Sequence, residues 1–226
     1  MDNRFLKLTY AGELYKETCE KILDLQSQLY YSLADLKQSK TGITKVGITP
    51  QWGGMVFASI MPKFVEKYPL TSLKFFEETA HPLIEAIAAN EIDIALIALD
   101  CDEPLQYQSF KIHKEELLLA VPKTFIENID DTQSVINLSE LHNFPFIISR
   151  ERTVIRDITN SMFRLAGFTP KITCEINNHL ASLEMTNQNL GITIIPKCYI
   201  QDYDNIKYFS IAPHWYWDIS IVIRRG

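Results

Sequence analysis

The stretch GITKVGITPQWGGMVFASIMPKFVEKYP, residues 42–69, decides the fold. Residues 43–48 have the composition of a β-strand, and residues 50–54, with a proline and two glycines, form a turn. Residues 55–68 carry a broad apolar face at helical spacing, and Pro69 ends that helix. A strand that passes through a turn into a helix predicts the first half of a β-α-β unit.

The residues that follow complete this unit. Residues 73–76 are a short strand, and Pro82 fits the first turn of the next helix. Residues 92–99 form a nearly unbroken apolar strand of the buried, parallel type. Two further strands are expected, at 107–112 and 117–121. The order β, α, β, α, β makes a parallel sheet with right-handed crossovers the default.

A second unit of the same order follows. Its strands are expected at 146–149, 172–176 and 191–195. Its first helix should end at Gly167, and Asn178 is suited to cap its second helix.

The remaining strands, 206–211 and 217–223, are too few to form a third domain. We expect them to return to the first sheet. The chain would then form two lobes, joined by crossings near Val121–Pro122 and Pro196–Lys197.

A long helix is predicted before the first strand. Residues 10–38 contain no proline and a single glycine. Alternating spacings of four and three, typical of a coiled-coil seam, relate Tyr15, Cys19, Ile22, Gln26, Leu29, Leu33 and Leu36. Such a stripe is buried against a partner chain, and a polar residue within it, here Gln26, fixes the register. An amphipathic helix folded back on its own domain is the alternative.

The composition is that of a folded protein without an overall attraction to nucleic acid. The chain has 226 residues, 46% of them apolar, and a formal net charge of −6 at pH 7. Phosphate binding needs clustered Lys and Arg, so any contact with DNA must come from elsewhere. No apolar run approaches the roughly 18 residues that span a bilayer, and the N-terminus lacks a signal-peptide layout. We therefore expect a cytoplasmic protein that does not bind a membrane.

The cysteines and motifs give no support for a metal, another cofactor or an enzyme. Cys19, Cys101, Cys174 and Cys198 stand far apart, without a CxxC motif, and are expected to be reduced packing residues. Carboxylates flank Cys101 on both sides, which disfavours the thiolate that a nucleophile needs. Ser149 has no paired histidine nearby in sequence, and phosphate-loop, GxGxxG and HExxH motifs are absent from the sequence.

Six short motifs occur in order along nearly the whole chain. They are Leu8-Thr9-x-Ala11-Gly12-Glu13, Gly42-x-x-x-Val46-Gly47, Phe64-x-x-x-Tyr68-Pro69, Ile92-Asp93-Ile94-Ala95, Leu165-Ala166-Gly167-Phe168-x-Pro170 and Asn189-Leu190-Gly191-Ile192-x-x-x-Pro196. In order and spacing they resemble the LysR-type transcriptional regulators. The resemblance implies an α/β fold, a two-lobed periplasmic-binding-protein-like (type 2) effector domain preceded by a long coiled-coil linker helix.

The resemblance also implies a domain organisation. Residues 1–40 would hold the end of a winged helix-turn-helix and the dimerisation helix, with residues 3–8 as the last strand of the wing. Residues 41–121 plus 197–226 would form lobe I, and residues 122–196 lobe II. The full-length protein would bind DNA only through its N-terminal domain, whose recognition helix this sequence does not contain. Family members commonly form homodimers through the linker helix and homotetramers through side-by-side effector domains.

The candidate binding residues lie at turns between strands and helices. Ligands of open α/β sheets bind beyond the carboxyl ends of strands, where helix N-termini present N–H groups suited to anions. By the resemblance, Thr49, Gln51 and Trp52 match positions that line the effector site of the family. The second unit supplies Ser149, Arg150 and Thr153, and further candidates are Leu99, Asp100 and Asn178.

Each candidate has a structural alternative. The threonines would cap helices, Trp52 would pack or form a dimer contact, and Arg150 would be a solvated charge. His81, His142 and His179 are expected at the surface. The predicted function is to sense a small anionic or zwitterionic metabolite between the lobes and thereby control transcription. The alternative is a solute-binding protein of a transport system with the same fold.

Overall fold

The computed structural model describes residues 8–36, 42–50, 52–100, 107–126 and 133–223. A 27-residue helix, α1 (Tyr10–Leu36), precedes two lobes. The first lobe contains β1 (Gly42–Ile48), α2 (Trp52–Lys67), β2 (Thr71–Glu77), α3 (Ala80–Ala88) and β3 (Ile94–Asp100). β1 pairs in parallel with both β2 and β3, which confirms the predicted parallel β-α-β-α-β unit.

The second lobe repeats this arrangement. It contains β5 (Val135–Asn137), β6 (Pro145–Ile148), α4 (Val154–Ala166), β7 (Lys171–Glu175), α5 (His179–Asn187) and β8 (Ile192–Pro196). β6 pairs in parallel with β7 and β8. Gly167 ends α4 in the left-handed conformation, with φ 79°, and its N–H donates to the Arg164 carbonyl. Glycine adopts this conformation without steric cost, so its predicted role as the helix cap is confirmed.

One long strand belongs to both lobes. β4 (Gln108–Pro122) runs for 15 residues, whereas the sequence predicts two strands there. Up to Glu116 it pairs with β10 (Tyr216–Ile223), and from Leu117 onward it pairs with β8 and β9 (Ile206–Ala212). The polar stretch 113–116 interrupts the apolar pattern but stays paired with β10. One crossing therefore lies at residues 116–117, not at Val121–Pro122.

The return of the chain also differs from the prediction. β9 does not rejoin the first sheet, because it pairs with β4 and β5 in the second lobe. Its Phe209 and Ile211 are each 1% exposed, and their burial holds the strand there. β10 does return, between β3 and β4, so the second crossing lies at residues 213–215 and not at Pro196–Lys197.

The apolar seam of α1 is not covered by its own chain. Tyr15, Ile22 and Leu29 are 74%, 57% and 58% exposed. The structure does not describe the side chains of Leu33 and Leu36. Of the predicted wing strand, residues 3–8, it describes only Leu8. The described seam is thus not packed against its own lobes. Among the helices that the structure describes, none is long and apolar enough to cross a lipid bilayer.

Candidate functional site

A cavity of about 250 Å³ lies between the lobes. The first residues of four helices meet around it: Pro50 and Trp52 at α2, Thr79 and Ala80 at α3, Thr153 to Ile155 at α4, and Asn177 and His179 at α5. Helix N-termini carry unsatisfied N–H groups and a partial positive charge, so their convergence favours an anionic ligand. We call this space the interlobe cavity.

Hydrogen bonds hold the turns of the second lobe in place around the cavity. The Thr153 hydroxyl donates to the Arg150 carbonyl at 2.9 Å and accepts from the Arg156 N–H at 3.3 Å, which caps α4. The Arg150 N–H donates to Asn177 Oδ1 at 3.0 Å. The turn before α4 and the turn before α5 are therefore tied together.

In the first lobe, backbone hydrogen bonds hold the turn after β1, whereas the side chain before α3 does not cap its helix. The Thr49 N–H donates to the Leu96 carbonyl at 3.3 Å, and the Thr49 carbonyl accepts from Gly53 at 3.2 Å. Thr79 is the N-cap residue of α3, but its side chain makes no capping hydrogen bond. Its hydroxyl, unlike that of Thr153, is not used by its own helix.

The structure brings together five of the predicted site residues. Thr49, Trp52, Ser149, Arg150 and Thr153 all line the interlobe cavity. They come from both lobes, although about a hundred residues of sequence separate the two groups. Gln51 lies outside the described residues.

Three predicted residues do not line the cavity. Ala98 faces it, and because side chains alternate along a strand, Leu99 points to the opposite side and is 2% exposed in the core. Asp100 ends β3 opposite Trp217 of β10. Asn178 caps α5, since its side-chain oxygen accepts from the Ala181 N–H at 3.0 Å, and the preceding Asn177 lines the cavity instead.

Sequence reasoning missed several lining residues. His179, expected at the surface, lies on the cavity wall, where burial lowers the pKa of its imidazole to about 4. Tyr199 comes from a single 3-10 turn, Lys197–Tyr199, and Trp217 from the returning strand β10. Because Asn178 was predicted to cap α5, the sequence already placed His179 at the first position of that helix. No local pattern indicates Tyr199 or Trp217, because long-range packing brings them in.

Arg156 supports the site from behind. Its side chain is 9% exposed, and Nη1 donates to the Ser149 carbonyl at 2.7 Å and to Glu175 Oε1 at 2.8 Å. Nε donates to Asn160 at 3.0 Å. The guanidinium is therefore occupied by structural contacts, and it fixes the strand-to-helix turn that carries Arg150.

Desolvation and the nearby charge of Glu115 raise the pKa of the Cys198 thiol to about 12, so the thiol is protonated near neutral pH. Within the described residues, no three His, Cys, Asp or Glu side chains are grouped so that they could hold a metal ion.

Two α/β lobes that share a strand and enclose a cavity rimmed by helix N-termini define a two-lobed small-molecule-binding domain. The chain belongs to the LysR family: residues 37–226 match the LysR substrate binding domain. It is 29% identical over 197 residues to the uncharacterized HTH-type transcriptional regulator YwbI of Bacillus subtilis (strain 168), covering 85% of this chain. The chain spans 64% of the length of that relative.

Solved structures share the fold. The C-terminal domain of a probable LysR family transcriptional regulator from Rhodococcus sp. RHA1 superposes with a TM-score of 0.68 at 20% identity, covering 81% of this chain and 91% of that one. The effector binding domain of QuiR in complex with shikimate gives a TM-score of 0.68 at 18% identity, covering 82% of this chain and 89% of that one. The family match favours a regulator over the transport protein that is the alternative from sequence.

Proposed function

We propose that this chain is the effector-sensing and self-associating region of a LysR-type transcriptional regulator. The observation that supports this most directly is the interlobe cavity, where helix N-termini from both lobes meet beside Arg150. A small organic anion binds there, its carboxylate near Arg150 and the N-terminus of α4, and it contacts Thr49 and Thr79 of the first lobe. QuiR, which shares the fold, binds shikimate, itself a small carboxylate.

A ligand that contacts both lobes favours the lobe arrangement that it fits best. It shifts this equilibrium only by the difference between its affinities for the two arrangements. In the regulator, the α1 seam pairs two copies into a homodimer, and effector domains side by side complete a homotetramer. DNA is bound by a separate N-terminal domain, in the cytoplasm, and the effector alters how the subunits present it.

Thermal unfolding with small carboxylates tests the ligand site. Shikimate and benzoate are added at millimolar concentration, and we expect at least one to raise the melting temperature. Arg150→Gln should remove that shift, whereas Arg164→Gln, the same change in the last turn of α4, should retain it. An equal shift in wild type and in Arg150→Gln would contradict the proposed site.

A further inference from the structure

Aromatic rings form one wall of the interlobe cavity. Trp52, His179, Tyr199 and Trp217 all line it, and they come from four separate elements. The ring centroids of His179 and Tyr199 lie 4.6 Å apart, and those of His179 and Trp217 lie 6.4 Å apart at an interplanar angle of 81°. We call these four side chains the aromatic wall. The face of each aromatic ring is a flat, polarisable surface on which a planar ligand can stack.

The aromatic wall carries no charge near neutral pH. Burial lowers the pKa of His179 to about 4, so its ring is a neutral imidazole. Burial likewise raises the pKa of Tyr199, although a hydrogen bond with the Trp52 backbone opposes this effect, and the phenol stays protonated. The wall therefore supplies no ionic partner for a ligand group.

The charged groups at the cavity are few and of opposite sign. Among the described lining residues these are Arg150, from the turn before α4, and Glu78, from the turn before α3. One carboxylate on a ligand can pair with Arg150. A second carboxylate has no second cation among those residues, and it meets the like charge of Glu78.

The size of the cavity limits the ligand further. Pockets for drug-sized ligands hold about 300–1,000 Å³, and this one, at about 250 Å³, is smaller. It suits one ring with a short substituent. Apolar side chains, including Ala98, Val154 and Ile219, complete the lining around the ring position.

We infer that the interlobe cavity selects a small monocarboxylate with a planar, unsaturated ring, the carboxylate held at Arg150 and the ring stacked on the aromatic wall. This inference rests on the proposed function, since it names the class of effector that the same cavity binds.

Calorimetric titration of the full chain with matched probes tests this selection. Benzoate has the planar ring and one carboxylate, cyclohexanecarboxylate has a puckered saturated ring, and phthalate adds a second carboxylate. We expect benzoate to bind about three- to tenfold tighter than cyclohexanecarboxylate, which is the range that aromatic pairing provides. Phthalate should bind at least about tenfold more weakly than benzoate.

Two tryptophans two residues apart provide a matched control. Trp217→Leu should abolish the preference for benzoate over cyclohexanecarboxylate. Trp215→Leu should retain it, because Trp215 lines a different cavity, beside Met162 and Ile211. If Trp217→Leu does not fold, as judged by circular dichroism, His179→Leu makes the same test on α5.

The outcomes separate the two proposals. Binding of phthalate or cyclohexanecarboxylate as tightly as benzoate, lost in Arg150→Gln, would overturn the planar monocarboxylate while leaving the effector site standing. A benzoate preference that survives in the folded Trp217→Leu or His179→Leu variant would also overturn it. No binding of any of these carboxylates, at millimolar concentration, would count against the proposed function itself.

Discussion

Arg156 shows how a charged side chain can shape the wall of the interlobe cavity without lining it. Its guanidinium spans Ser149, Asn160 and Glu175, three points that belong to different elements. A planar fork with several donors is suited to this task, whereas a lysine offers a single point charge. Arg150, which we propose to bind the ligand, lies on the turn that Arg156 holds.

Replacing Arg156 should therefore destabilise the protein. In Arg156→Leu the Ser149 carbonyl loses a buried partner, and we expect the free energy of unfolding to fall by about 1–3 kcal/mol. Arg156→Lys should recover only part of this loss, because it cannot reach all three acceptors at once. Urea unfolding measures both, with Arg164→Leu, an exposed position on the same helix, expected to stay within about 0.5 kcal/mol of wild type. Equal losses in Arg156→Leu and Arg164→Leu would contradict this role.

His179 should make stability depend on pH. Its pKa is about 4 in the folded protein against 6.5 in the unfolded chain. As the pH falls below 6.5, the unfolded chain binds a proton that the folded protein does not take up until about pH 4. The free energy of unfolding is therefore not reduced by this group above pH 6.5. It falls as the pH drops from 6.5 to about 4, by at most on the order of 3 kcal/mol.

Urea unfolding at several pH values measures this dependence. His179→Leu should reduce the fall in unfolding free energy across that interval, while the exposed His142, changed to Leu, should leave it as in wild type. A His179→Leu profile with the full wild-type slope would show that another group is responsible.

Local signals made some residues predictable and left others hidden. Asn178 and Gly167 act within one turn of their own helix, so sequence alone identified them as caps. Leu99 was predicted at the site but does not line the cavity, because sequence did not show which face of β3 meets it. Tyr199 and Trp217 reach the cavity only when elements distant in sequence have packed together, and no local sequence pattern indicates this.

At the scale of elements, hydrogen bonds link the two connections between the lobes. Glu116, on β4 where it changes lobe, accepts hydrogen bonds from His214 and Ser210, each at 2.8 Å. His214 lies on the second connection, and Ser210 lies on β9. Burial alone would raise the pKa of Glu116, but the bonds from His214 and Ser210 outweigh it and lower the pKa. The cluster therefore favours the ionised carboxylate.

Glu116→Gln should weaken these hydrogen bonds and lower the free energy of unfolding slightly. The His214 side chain is 50% exposed, so solvent screening limits the expected loss to about 1 kcal/mol or less near neutral pH. Because the folded pKa of Glu116 is lowered, its contribution is complete above pH 4.5 and is lost as the pH falls below that value. The variant should lose less stability than wild type below pH 4.5, as measured by urea unfolding. Glu91→Gln, an exposed carboxylate, should behave as wild type, and a Glu116→Gln curve parallel to wild type would contradict the assignment.

The elements themselves were largely predictable, and the errors have one cause. Helices and parallel strands carry their own apolar patterns, so β1 and β3 appear within two residues of where sequence placed them, and α4 ends at the predicted Gly167. β4 was divided because its charged segment 113–116 lacks an apolar pattern, yet pairing with β10 keeps it extended. Whether such a segment is extended depends on partner strands that are distant in sequence. Such partners also determine which lobe β9 joins.

At the scale of the molecule, two repeated β-α-β-α-β units predicted two lobes, and the structure adds how they are joined. Two antiparallel connections run side by side through the boundary, at 116–117 and 213–215. Buried residues from both lobes, such as Leu83 and Phe146, belong to one continuous core cluster. A movement of one lobe against the other would therefore have to repack this shared cluster as well as bend the two connections.

The exposed seam of α1 carries the last prediction, which concerns assembly. Ile22 lies on the seam and Leu14 lies off it, yet the two side chains are almost equally exposed, 57% and 56%. If two copies pair through the seam, Ile22→Glu places a charge in the dimer interface on both copies, while Leu14→Glu places it outside. Losing two buried isoleucines costs about 3–6 kcal/mol, so Ile22→Glu should raise the dimer dissociation constant by about a hundredfold or more. Sedimentation equilibrium measures this constant for wild type and both variants, and Leu14→Glu should remain close to wild type. Similar constants for the two variants would place the interface elsewhere, and a monomeric wild type would remove the α1 homodimer from the proposed function.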